Sequence, residues 1–171
     1  SVQQTADGGY ILAGKTNSYK SDGSVGNDVE VIDPEDVWLI KIDQSGNQQW
    51  NNTFGRTYTG RVVQPAGTYV ATSKDDSYAV KQTRDGGFIL AAATQSTSGE
   101  ALTLVDAVWI IKADADGKEQ WNNILKGINV GGQVYAVQQT SDGGYSFAGG
   151  YKEADFGNRD AWFTKTDGNG D

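Results

Sequence analysis

Two stretches of this chain carry apolar side chains at consecutive positions with no polar face: Phe88-Ile89-Leu90-Ala91-Ala92-Ala93 and Val108-Trp109-Ile110-Ile111. Runs this short, bounded by turn residues, predict strands covered on both sides. The next segment, Lys118-Glu119-Gln120-Trp121-Asn122-Asn123, is largely polar. It predicts an outer strand facing solvent, where charge discourages stray pairing. With the Val- and Tyr-bearing segment before them, the pattern gives four strands, at 77–83, 87–94, 107–113 and 118–125.

The same text recurs along the chain. It reads QQTADGGYILAGKT from Gln3, KQTRDGGFILAAAT from Lys81 and QQTSDGGYSFAGGY from Gln138. A second phrase follows each: DVWLIKIDQSGNQQWNN from Asp36, AVWIIKADADGKEQWNN from Ala107 and DAWFTKTDGNGD from Asp160. Repetition at this spacing predicts stacked supersecondary units. The units span about 1–54, 77–126 and 133–171, the third lacking its outer strand, within one domain over 1–171. A gradient from buried inner strands to a polar outer one is what a propeller blade needs. The expected fold is therefore all-β and β-propeller-like, with three four-stranded antiparallel blades, the last incomplete. Propellers close with about four to eight blades, so further segments or further copies of the chain are expected to complete the ring.

The turns are of two kinds. Asp7-Gly8-Gly9, Asp85-Gly86-Gly87 and Asp142-Gly143-Gly144 join the first two strands of each unit. Asp-Gly between apolar strands is a strong hairpin signal because Gly accepts positive φ. A phosphate-cradling loop would need a following helix, and here a strand follows each time. Asp43-Gln44-Ser45-Gly46, Asp114-Ala115-Asp116-Gly117 and Asp167-Gly168-Asn169-Gly170 join the last two strands. The other connections vary: the DGG Asp precedes the Trp of the third strand by 31, 24 and 20 positions in the three units. In an up-and-down sheet both tight turns emerge at one end and both variable connections at the other. Binding functions sit on varied loops over a rigid scaffold, so a site is expected on 16–36, 53–76, 94–106 and 150–160.

The candidate residues of that end are Asp28, Glu30, Asp33, Glu35, Asp36, Arg56, Tyr58, Arg61, Tyr69, Tyr151 and Arg159. The acidic group reads as a solvated loop, a cation site or a glycosidase-like carboxylate pair, which would need two carboxyls roughly 5–9 Å apart. Tyr and Arg are favoured in binding hot spots. Asp167-Gly168-Asn169-Gly170-Asp171 resembles the opening of a calcium loop, and Asp114 with Asp116 matches it less well. Calcium takes six to eight oxygens, and a plain turn is the competing reading. Trp38, Trp109 and Trp162 share one repeat position, and Trp50 and Trp121 another. Packing between units accounts for both sets more simply than a carbohydrate-stacking row. Asn51-Asn52-Thr53 is a glycosylation sequon.

Charge and composition remove whole classes of chemistry. With 22 acidic and 14 basic residues the net charge is −8, which argues against nucleic-acid and anionic-membrane partners. The chain has no Cys, His or Met. That excludes thiolate and imidazole catalysis, zinc-cysteine sites and the usual haem ligands. Any metal would be held by oxygen, as calcium is; no other cofactor is expected. No apolar run reaches the 18 residues of a membrane span.

The pattern QQT-x-DGG(Y/F)-x-x-AG followed by D-x-W-x-x-K-x-D-x-x-G-x-x-x-W resembles the propeller repeats of secreted and cell-surface proteins of bacteria and archaea. The resemblance covers most of the chain outside 16–36 and 53–76. It implies an extracellular or cell-surface location and a binding, adhesion or assembly role, with a glycan, a protein or further copies as partner. The family offers no catalytic motif to carry over. Two other readings stand beside it: a carboxylate-based polysaccharide hydrolase or lyase, and a structural tile of a surface layer, sheath or filament.

Overall fold

The computed structural model describes residues 1–16, 30–31, 36–55, 60–64, 67–71, 76–98, 103–125, 133–152 and 159–171. Among these residues there is no helix, and fourteen strands form four sheets. Three of the sheets follow the repeated text. The first is built from β1 (Val2–Gln4), β2 (Tyr10–Thr16), β4 (Asp36–Ile42) and β5 (Gln48–Phe54), in that order. The second holds β8 (Asp76–Gln82), β9 (Phe88–Ser98), β10 (Thr103–Ala113) and β11 (Glu119–Ile124). The third holds β12 (Gln133–Gln139), β13 (Tyr145–Lys152) and β14 (Arg159–Thr166). All neighbouring strands within these sheets are antiparallel.

The second sheet lies between the other two, and its strands divide their side chains accordingly. Phe88, Leu90 and Ala92 of β9 and Trp109 and Ile111 of β10 pack with Ile11, Ala13, Val37 and Leu39 of the first sheet. Ile89 and Ala91 of β9 and Val108 and Ile110 of β10 pack with Val134, Val137, Tyr145 and Phe147 of the third. Alternate residues of a strand point to opposite faces. A sheet with two dry faces therefore needs the unbroken apolar run seen in these two strands. Each large side chain so buried contributes roughly 1.5–3 kcal/mol.

The outer strands are polar as expected, with Glu119, Gln120 and Asn122 exposed. Their tryptophans pack against the neighbouring sheet, as expected for this repeat position. Trp50 meets Phe88 of the second sheet edge-on at 5.7 Å, and Trp121 meets Tyr145 of the third at 5.9 Å.

The paired glycines of each DGG turn serve two purposes. Gly86 has φ +82°, a region that L side chains avoid. Gly87 is held by proximity instead: a Cβ there would lie 2.4 Å from the Ala113 carbonyl oxygen and 2.6 Å from Lys112 Nζ.

Two features exceed the sequence reading. The β9–β10 ladder continues without a break from Ala113↔Phe88 to Thr103↔Ser98, so strand structure extends well into the connection at 94–106. The two long insertions also contain strands. β3 (Glu30–Val31), β6 (Gly60–Gln64) and β7 (Gly67–Ala71) form a fourth sheet in the order β3-β7-β6. These strands are too short and too mixed in polarity to show a period in the sequence.

Candidate functional site

At the end of the variable connections, Asp28, Asp33, Glu35, Arg56 and Tyr58 lie outside the described residues. Glu30 stands opposite Tyr69 in the parallel β3–β7 pairing, and Arg61 of β6 stands opposite Val70 of β7. Backbone register thus brings candidates from both insertions into one small sheet. Tyr151 opposes Asp160 and Arg159 opposes Lys152 at the far end of the β13–β14 hairpin, on a different sheet. Asp36 opposes Thr16 at the end of the first sheet. A Cβ at Gly55 would meet Asp36 Oδ1 at 2.2 Å, so a side chain there would require that carboxylate to move.

The tight-turn end carries a polar node that sequence reasoning missed. In the second sheet, Asp85 accepts from the Thr83 hydroxyl and from the Gly87 backbone N–H at 3.1 Å, and pairs with Lys112 at 3.0 Å. Lys112 also donates to the Ala113 carbonyl at 2.9 Å and to Gln120 Oε1 at 3.2 Å. An ammonium has three donors, and all three are met although the side chain is only 3% exposed. The first sheet repeats the node: Lys41 bonds Asp7 at 2.9 Å, the Ile42 carbonyl at 3.1 Å and Gln49 Oε1 at 3.0 Å. In the third, Asp142 accepts from Thr140 and Lys165, but Lys165 is 47% exposed. The difference is the fourth strand, which supplies the Gln and the cover in the other two sheets. The available signal was a Lys recurring inside an otherwise apolar strand.

These bonds hold the node's carboxylates in the charged form. The Thr5 hydroxyl, then Lys41, keep Asp7 well below the usual carboxylate range. Lys165, then Thr140, do the same for Asp142. Burial pushes Asp85 up, but Thr83, Lys112 and the Gly87 N–H together outweigh it and its pKa is lowered. A carboxylate so stabilised is a poor proton donor or acceptor near neutral pH. The node ties the first turn to the third and fourth strands.

The turns singled out for calcium show where their oxygens go. Asp114 Oδ1 accepts the backbone N–H groups of Asp116 at 3.0 Å and Lys118 at 2.8 Å. Asp167 Oδ1 accepts those of Asn169 at 2.8 Å and Asp171 at 3.1 Å, and they lower its pKa. Asp43 forms the same turn with Ser45 and Asn47. This is the self-capping that makes Asp favourable in turns. Among the described residues, no three acidic side chains gather in a group suited to a metal ion.

The junctions between sheets use one repeated set of contacts. Asn52 donates to the Asp116 carbonyl at 3.1 Å, and Asn123 to that of Asn169 at 3.1 Å. Trp50 lies over Gly117 and Trp121 over Gly170, so closely that a Cβ would come within 2.4 Å and 2.7 Å of the rings. Gln82 accepts the Ala6 N–H at 2.8 Å, and Gln139 accepts that of Arg84 at 3.0 Å. Within sheets, the Trp38 indole donates to Asn51 at 3.2 Å and that of Trp109 to Asn122 at 2.9 Å. Among the described residues, the Trp162 indole nitrogen is buried with no hydrogen-bond partner. Beside β14 lies a groove of about 540 Å³, walled by Asn123, Ile124 and Leu125 on one side and Thr164, Lys165 and Thr166 on the other.

The outward faces of the flanking sheets differ sharply from their equivalents in the middle. Phe163 is 72% exposed, whereas Ile110 at the same repeat position is fully buried. Val2 is 65% exposed against 2% for Val80. A scan against protein-family models gives no match, and a search of curated proteins gives none either.

Proposed function

We propose that this chain is a section of a β-propeller, a non-catalytic scaffold that binds a glycan, a protein or further copies of its own repeat at the cell surface or outside the cell. The observation that carries this reading is the contrast between middle and flanking sheets. Positions dry in the second sheet are open on the far side of the first (Val2, Tyr10) and of the third (Phe163). The two open faces are different surfaces, one from each side of the repeat. A contact between such faces is head-to-tail, and successive contacts close a ring or run on as a filament. The identical bonds at both junctions support one rule for adding a sheet. Glu30, Arg61 and Tyr69 are the ligand contacts proposed for the variable end.

Light scattering over a range of concentrations tests the scaffold reading with the chain itself and with Phe163→Lys. The expected result is association that the substitution weakens, because a charge replaces the ring at the contact. A chain that stays monomeric at every concentration would remove the faces from consideration.

A further inference from the structure

The geometry points to Asn51 as an attachment site for an N-linked glycan, with its side-chain amide oriented for modification by the Trp38 indole. Asn51-Asn52-Thr53 is the single Asn-x-Ser/Thr sequence in the chain. Asn51 lies in the middle of β5, opposite Ile40 of β4, and is exposed. Asn122, at the same repeat position of β11, is exposed as well, although the second sheet is covered on both faces. Exposure therefore belongs to the outer-strand position and does not depend on what stands beside the first sheet.

The bond to Trp38 fixes which way the amide faces. An indole N–H only donates, so the atom it meets at 3.2 Å is Asn51 Oδ1. Nδ2, the atom that carries a sugar, is on the other arm of the amide and meets no acceptor among the described residues. The second sheet shows the opposite arrangement. Asn122 Oδ1 accepts from Trp109, but its Nδ2 donates to Glu119 at 2.6 Å, and Ile124 stands where β5 has Thr53. β5 has the neutral Gln48 in place of Glu119. In the transfer, a bond forms between Asn51 Nδ2 and the anomeric carbon of a glycan carried on a lipid diphosphate. The bond from that carbon to the diphosphate oxygen breaks, the lipid diphosphate leaves, and Nδ2 gives up one proton to a base of the transferring enzyme. The product amide keeps its oxygen, so the Trp38 bond survives and holds the first sugar at a fixed angle to the strand. Among the described residues β5 pairs with β4 alone and forms an edge of its sheet. Exposed edges invite stray pairing unless covered, and a bulky, solubilising group at Asn51 stands beside this one. The inference rests on the reading that the chain works at the cell surface or outside the cell, since such a transfer accompanies export.

The test exports the chain behind an added leader from a eukaryotic secretory host, so that arrival in the medium does not depend on the chain's own location signals. Mass spectrometry reads the intact protein and its peptides before and after a peptide-N-glycanase, which hydrolyses the glycan–amide bond and turns Asn51 into an aspartate. The expected result is one glycan on the peptide bearing Asn51. Thr53→Ala should abolish it and Thr53→Ser should retain it, because the hydroxyl belongs to the recognised sequence. Both variants keep Asn51 as the partner of Trp38. An exported chain with Asn51 unmodified would overturn the proposal, and so would a glycan that persists in Thr53→Ala. The glycosylated chain should unfold at the same urea concentration as the chain made without glycan, or higher. A midpoint lower by about 0.5 M would show that the sugar displaces the Trp38 bond, and would overturn the orientation argued for the amide. Light scattering of the unmodified chain tests the scaffold reading separately, so association and modification can fail independently.

Discussion

The indole nitrogen of Trp109 donates to the side-chain oxygen of Asn122 across the β10–β11 pair at 2.9 Å, and Trp38 with Asn51 repeats the bond at 3.2 Å. It links a ring that is 2% exposed to a strand that is otherwise polar. Asn122→Ala is expected to cost about 1 kcal/mol, the net worth of such a bond. A double-mutant cycle with Trp109→Phe should return a coupling of about 0.5–1.5 kcal/mol in urea unfolding. Strict additivity would show that the bond carries no energy.

Lys112 and Lys165 occupy the same position with unequal cover. Lys112→Ala removes three bonds from a side chain only 3% exposed, although its partner Asp85 is half exposed, and is expected to cost about 1–3 kcal/mol. Lys165→Ala acts on an exposed pair and should lose far less. Equal losses in denaturant unfolding would mean that the outer strand adds nothing to the node.

Acid should loosen the molecule through the Asp7, Asp85 and Asp142 nodes. Each has a folded-state pKa below its unfolded value. Each therefore contributes stability that is complete above the unfolded pKa of about 4. That stability is lost as pH falls through the folded value. Asp85→Asn should be destabilised at neutral pH and approach the unsubstituted protein as the solution is acidified below about pH 4. Urea midpoints measured over that range check the sign: a gap constant with pH, or widening in acid, contradicts it.

The two glycines of the middle turn should fail in different ways. Gly86→Ala meets no neighbour within 4 Å and suffers only its φ of +82°, a cost of about 1–2 kcal/mol. Gly87→Ala drives a methyl against the Ala113 carbonyl and the Lys112 ammonium, and overpacking of that kind costs about 3 kcal/mol. Thermal unfolding should rank Gly87→Ala below Gly86→Ala. The opposite order would mean that the backbone there yields easily.

Much of the architecture was legible before any coordinates. The unbroken apolar runs at Phe88–Ala92 and Val108–Ile111 implied a sheet with two dry faces, since one strand can hide both sets of alternate side chains only between two neighbours. The Asp-Gly-Gly turns and the repeated text placed the strands to within a few residues. Thr83, Asp85, Lys112 and Gln120 meet in one node, yet they come from a turn and two strands, and only the Lys recurring in an apolar strand hints at them. The strands inside the insertions were equally hidden, because two to five residues are too few for a period to show. That one carboxylate oxygen of Asp114 and of Asp167 caps the backbone of its own turn was likewise not readable from the sequence, because it depends on how the turn folds.

By itself, then, the sequence determined the strands, their turns and the number of faces each must bury, because these depend on neighbours along the chain. Only the tertiary structure decided that Phe163 stands open while Ile110 is dry, and that among the described residues the Trp162 indole meets no acceptor while that of Trp109 meets Asn122. Exposure and hydrogen-bond satisfaction depend on what lies across space from a residue, and equivalent residues of a repeat part company wherever that neighbour changes.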